Sequence, residues 1–203
     1  MRVYEHSNPE SMSIRSHPWT HSTENPTHVY RDFRAEPGLI RSSLGDFRPW
    51  EAHAAVETFY RLLKWLNSPR SIFESNDCAF SGPTEHTNEG IPMLLQCSGR
   101  LMILFRDLPT NTIDTEVDSL KNEFGAMLSL TDLDFEWGAV GTTTVSMRLL
   151  QLPGPAARQR GQQLMISFWA WGDNVSQTMA HLDRTLGNIR DALRSLGASP
   201  TAP

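Results

Sequence analysis

Between Trp50 and Leu196 the apolar residues alternate between two kinds of spacing. Some stretches step by three and four, as a helix does; others run dense or alternate, as a strand does. The order that results is helix, strand, strand, strand, helix, strand, strand, helix. It predicts an α+β fold, an antiparallel twisted sheet with helices in the order α-β-β-β-α-β-β-α. A disordered N-terminal tail is expected before it.

The first helix is expected over residues 51–66, between Pro49 and the Ser68-Pro69 step. Ala52, Val56, Phe59, Leu63 and Leu66 form its apolar stripe, which Ala55, Leu62 and Trp65 widen. Strands follow over 71–80, 91–97 and 100–107. The first stops at Ser81-Gly82-Pro83, and Ser98-Gly99 reads as a two-residue hairpin turn. The second helix covers 113–130, with Asp114, Glu116 and Asp118 at the positive end of its dipole. Two longer strands cover 134–150 and 162–171, the former with bends or bulges at Gly138 and Gly141. The last helix has the clearest signal. Asn174 and Gln177 form a capping box. Val175, Met179, Leu182, Leu186, Ile189, Leu193 and Leu196 make one stripe, which Gly197 ends.

Residues 1–48 are rich in Pro, Ser, Thr, Asn and His, and Pro9, Pro18, Pro26 and Pro37 interrupt any regular element. The expected division is therefore a tail at 1–48, a folded domain at 49–198 and a short tail at 199–203. Charge follows the same division. Residues 1–49 carry six acidic and six basic side chains, whereas 50–197 carry 17 acidic and 12 basic, the whole net charge of -5. An acidic domain is a poor match for nucleic-acid phosphates. Cys78 and Cys97 are too few for a disulfide framework and read as free thiols in a reducing compartment. With no secretory signal and no apolar run of about 18 residues, the expectation is a cytoplasmic protein without membrane insertion.

No catalytic motif stands out. Cys78, His86 and Cys97 match no zinc signature, so no metal is expected. Cys78 with His86 and Asp77 is a weak nucleophile arrangement, because closeness in sequence is not geometry. Glu74, Asp77, Glu85 and Glu89 form an acidic patch that reads as a solvated edge more readily than as acid/base carboxylates. His17 and His21 are spaced for one helix face, but Pro18 lies between them. Residues 138–143 lack the lysine of a phosphate loop. The aromatic and methionine side chains say more. Trp50, Trp65, Trp169 and Trp171, with Met93, Met102, Met147 and Met165, lie on or beside elements that already have a core face. Such side chains suit a surface that accepts varied apolar segments.

Over residues 50–197 the pattern resembles the class I type III secretion chaperones, the Tir-chaperone family. The residues that carry the likeness are Ser75, Asn76, Asp77, Cys78, Ala79 and Phe80 at a first short strand. Next comes Met102, Ile103, Leu104, Phe105, Arg106, Asp107, Leu108 and Pro109, running into a leucine-proline step. Leu164, Met165, Ile166, Ser167 and Phe168 then precede the leucine-rich helix. The long N-terminal segment and the proline loop at 153–155 depart from that pattern. The resemblance implies a bacterial, cytoplasmic, homodimeric virulence chaperone, not an enzyme and without cofactor. It would bind the extended N-terminal region of secreted effector proteins, keep them export-competent and meet a secretion-system ATPase. It places effector binding on Val56, Phe59, Leu63, Ile72, Phe73, Met93, Leu95 and Met102. The dimer contact would fall on Leu120, Phe124, Met127, Val145 and Met147. The alternative is a small acidic immunity or other interaction module that blocks a toxin, and an enzyme built on Cys78, His86 or the carboxylates ranks third.

Overall fold

The computed structural model describes residues 1–5, 15–18, 31–87 and 89–197. Its elements in chain order are β1 (Arg2–Glu5), β2 (Arg15–His17), α1 (Leu39–Ser43), α2 (Ala54–Leu66), β3 (Phe73–Glu85), β4 (Leu95–Phe105), α3 (Asp114–Ser129), β5 (Gly138–Leu149), β6 (Arg160–Gly172) and α4 (Val175–Gly197). The fold is α+β. Four long strands pair antiparallel in the order β5-β6-β4-β3, and β1 and β2 both add in parallel to the outer edge of β5. The sheet is therefore mixed. From α2 onward the order is α-β-β-α-β-β-α, one strand fewer than the sequence pattern predicts.

The missing strand has a physical reason. Ser98 and Gly99 do not turn the chain but lie inside β4, opposite Ser81 and Phe80 on one side and Trp169 and Phe168 on the other. Gly99 is there for space. A Cβ at that position would stand 2.3 Å from the Phe168 ring and 2.7 Å from the carbonyl oxygen of Ala79. Gly82-Pro83 likewise fails to end β3. The register slips between Ser81 and Thr84, so the proline falls in a bulge on an edge strand, where its missing N–H breaks no ladder bond. Gly138 begins a strand whose pairing with β6 runs unbroken, and no bulge forms at Gly138 or Gly141.

One face of the sheet carries the helices. Leu101 and Ile103 of β4, Val140 of β5, and Leu164, Ile166 and Phe168 of β6 point into the main core. They meet Phe59, Leu62, Leu63 and Leu66 of α2, Phe124 and Leu128 of α3, and Leu182, Leu186, Ile189 and Leu193 of α4. The α2 and α4 residues are the stripes read from the sequence, buried because each clears one face of its helix. The capping box of α4 forms: Asn174 Oδ1 accepts from the Gln177 amide at 3.0 Å. Gln177 Oε1 reaches back to the amide of Asp173 at 2.8 Å, one residue beyond the cap itself. The other sheet face holds two smaller clusters, Ile91, Ala139 and Trp171 at one end and Leu104, Met147 and Leu149 at the other.

The described part of residues 1–48 is not a disordered tail. Ile40 and Phe47 are buried, and Phe47 stacks between Phe59 and Phe80 with ring centroids 4.7 and 4.6 Å apart. The packed unit therefore begins before residue 49. The β1 register sets Arg2 to Glu5 beside Ala139 to Thr142, and β2 sets Arg15 to His17 beside Met147 to Leu149. Buried His17 joins this segment to the far strand. Its Nε2 lies 2.8 Å from Glu74 Oε1, and its Nδ1 lies 3.0 Å from Asn76 Oδ1. Arg34 Nη1 donates to Glu74 Oε2 at 2.7 Å, and Asn76 Nδ2 donates to Gln163 Oε1 at 2.9 Å. A buried carboxylate needs such partners, since desolvation without them is expensive. Residues 6–14, 19–30 and 198–203, including His6, His21 and His28, lie outside the described residues.

Two expected outcomes follow from this packing. Gly99→Ala lowers stability by about 1–3 kcal/mol, through overpacking against Phe168 and Ala79. Urea unfolding checks it as a fall in midpoint at constant slope; a true hairpin glycine would instead be sensitive to φ alone. The second outcome concerns Asp132, which the guanidinium of Arg184 and then Asn188 hold below its ordinary value of 3.8. Its lowered folded-state value means that its stabilising contribution is complete above about pH 3.8 and fades as pH falls through the folded value. Asp132→Asn is therefore less stable than the parent at neutral pH, and the difference closes in strong acid.

Candidate functional site

The described residues of the β3–β4 connection, 86, 87 and 89–94, build an open groove at the end of the sheet. Its volume is about 560 Å³, and it is lined by Glu85, His86, Thr87, Glu89, Ile91, Pro92, Met93, Leu94, Leu95 and Asp173. Three local features hold it in shape. His86 Nε2 lies 2.7 Å from the carbonyl oxygen of Met93, which ties the two arms of the connection together. Ile91 is buried against Ala139 and Trp171, with Met93 and Trp169 packed beside them. Trp171 in turn donates from Nε1 to Gln96 Oε1 at 2.9 Å. The floor thus rests on the second face of the sheet. Leu94 projects from it, 64% exposed, and Val175 at the start of α4 is 38% exposed two residues beyond Asp173. An exposed leucine over a carboxylate-edged groove can meet an apolar side chain and a cation at once.

β3 supplies a second feature. It ends the strand order, and among the described residues no strand pairs with its outer side. Its two register shifts, at Asn76 and at Gly82-Pro83, twist the edge in the way that keeps natural edges from unselective pairing. Glu85, the last residue of β3, is also a groove residue, so the edge leads into the groove.

The structure divides the residues expected from the sequence. Val56, Phe59, Leu63 and Phe73 are closed into the main core, and Met102 is fully buried on the opposite face. A partner reaches none of these five without opening the fold. Ile72 is partly buried against the main core. Met93 and Leu95 do line the groove. The dimer set is divided likewise: Leu120, Phe124, Val145 and Met147 are buried, Met127 is half-buried, and β5 already has β1 and β2 along its edge. Leu94 and Asp173 carry no sequence signal for the groove. Burial signals point away from an exposed leucine, and Asp173 is brought to the groove by the pairing of Leu95 with Gly172.

The acidic patch also separates. Glu74 is buried with His17 and Arg34, and Asp77 pairs with Arg100 at 3.1 Å. Only Glu85 and Glu89 reach the groove. Cys97 is buried with its sulfur 3.7 Å from that of Met179. Burial pushes its thiol up to about 12. Cys78 is half-buried as a residue, yet desolvation, with Asp77 beside it, pushes its thiol up to about 12 as well. Thiols held there are poor nucleophiles at neutral pH. Among the described residues no three His, Cys, Asp or Glu side chains gather to hold a metal ion, and no helix is long and apolar enough to cross a membrane.

Surface and core roles predict opposite costs. Phe59→Ala destabilises by about 3–5 kcal/mol, as an aromatic cavity does. Leu94→Ser changes stability by less than about 0.5 kcal/mol. Thermal or urea unfolding of the two variants checks the division between what folds the chain and what it offers a partner.

No family model, no curated protein and no solved structure matches this chain, so the site stands on its own geometry.

Proposed function

We propose that the protein is a binding module that captures an extended segment of another protein. The observation that carries this reading is the outer edge of β3, with which no described strand pairs, leading through Glu85 into the groove. A segment added to that edge gains main-chain hydrogen bonds, and alternate side chains of the segment enter the groove beside Leu94 and Met93. Each buried apolar anchor is worth about 1.5–3 kcal/mol, which offsets the ordering of the segment.

The resemblance gives this module a role. It is a cytoplasmic type III secretion chaperone that holds the N-terminal region of secreted effectors export-competent. It needs no cofactor and acts as no enzyme; its further partner is a secretion-system ATPase. A second copy belongs to the same reading. Its contact falls on exposed surface such as Leu130 and Leu133, just past α3, because Leu120, Phe124, Val145 and Met147 are buried within one chain. A second reading, an immunity-type module that blocks a basic toxin, draws on the carboxylates of the groove margin. The two differ in the state of the target, an extended segment or a folded domain.

The test is amide hydrogen exchange of the chain, alone and with a copurified partner. Strand addition slows exchange along β3 and in residues 86–95, and limited proteolysis leaves an extended segment of the partner protected. Protection of a folded partner domain, with β3 exchanging as before, overturns strand addition and favours the immunity reading.

A further inference from the structure

The groove is charged in one sense only. Glu85 and Glu89 come from the β3–β4 end and Asp173 from the turn before α4, and no lysine or arginine lines it. Some carboxylates of the domain have an arginine against them: Glu57 has Arg41 and Arg61, Glu74 has Arg34, Asp77 has Arg100, and Asp132 has Arg184. Glu85, Glu89 and Asp173 form no ion pair among the described residues. Between them lie Ile91, Met93, Leu94 and Leu95, an apolar floor with one leucine largely in solvent.

We infer that this groove selects an extended protein segment in which a basic side chain stands beside an apolar one. The inference deepens the proposed function and rests on its reading that a segment is bound there. The apolar residue covers Leu94 and Met93. The arginine or lysine lays its stem along the same floor and brings its cationic head to the carboxylates. The three carboxylates stand exposed at the groove margin, where an incoming cation can reach them. The same charges repel an acidic segment of equal hydropathy, so they set which segments bind and how fast they arrive.

The experiment uses the full chain and three fluorescein-labelled synthetic dodecapeptides. One alternates arginine with leucine, one replaces its arginines with glutamate, and one replaces its leucines with serine. Fluorescence anisotropy at low and high salt gives the affinities. The arginine–leucine peptide binds, salt weakens it, and each of the other two binds at least about tenfold more weakly. Neutralising the groove by Glu85→Gln, Glu89→Gln and Asp173→Asn together lowers affinity about fivefold to tenfold and flattens the salt response. Leu94→Ser lowers it too. Asp134→Asn with Glu136→Gln removes two exposed charges outside the groove and leaves the affinity unchanged.

Equal binding of the arginine and glutamate peptides, or an affinity that survives neutralisation of the groove, overturns the inference, as does no binding of any peptide. An equal loss from the Asp134 and Glu136 pair overturns it as well, because net charge alone then explains the effect. Hydrogen exchange with the arginine–leucine peptide separates this result from the strand-addition reading. Charge-dependent binding that leaves the β3 amides unprotected supports the groove chemistry while strand addition falls.

Discussion

Phe168 of β6 occupies the space that Gly99 leaves on β4, and Phe59 of α2 packs against its other side with ring centroids 5.9 Å apart. Most of the architecture depends on that insertion. It lets β4 continue through Ser98 and Gly99, so that one strand, in place of a hairpin, lies between β3 and β6. It brings α2 down onto the centre of the sheet, where α4 lies along β6 and α2 beside α4. Phe59 then stacks on Phe47, and Phe47 on Phe80, which carries the same aromatic column out to the edge strand. Aromatic pairs at these separations add to the area they bury, and they fix orientation as well as distance.

How far the sequence shows this fold depends on the range of the interactions. α4 is legible because its stripe, its capping box and its terminal glycine are all local and all agree. α2 and α3 follow for the same reason, within a residue or a few at each end. Gly99 misleads because a glycine between apolar runs marks either a turn or a close approach, and only Phe168, far away in sequence, decides which. Gly82-Pro83 misleads because proline ends a central strand but not an edge strand, and edge position belongs to the whole sheet. β1 and β2 are four- and three-residue strands that pair in parallel with a strand more than 130 residues later. Nothing within such short segments has a period to read.

The site is less legible than the fold. Periodicity marks what is buried, and positions carried over from the resemblance onto such stripes fall in the core, as Val56, Phe59, Leu63 and Phe73 illustrate. Met93 and Leu95 were reachable because they flank a strand start, where burial is partial. Leu94 sits between them with the opposite exposure, and only the course of the backbone at that step sets it apart. The acidic residues show the same limit. Four carboxylates close in sequence belong to a buried cluster, a surface pair and a groove margin, according to where each arginine lies.

The two edges of the sheet are finished in different ways. β3 is bulged and no described strand pairs with its outer side, whereas β5 is flanked over residues 139–142 and 147–149 by the chain's own first strands, with His17 reaching across to Glu74 and Asn76. A sheet with two open edges can pass a partner strand from molecule to molecule and grow into a fibre. A sheet that closes one edge with its own chain has a beginning and no continuation. Under the strand-addition proposal such a molecule has one edge to offer, so strand addition alone builds no filament.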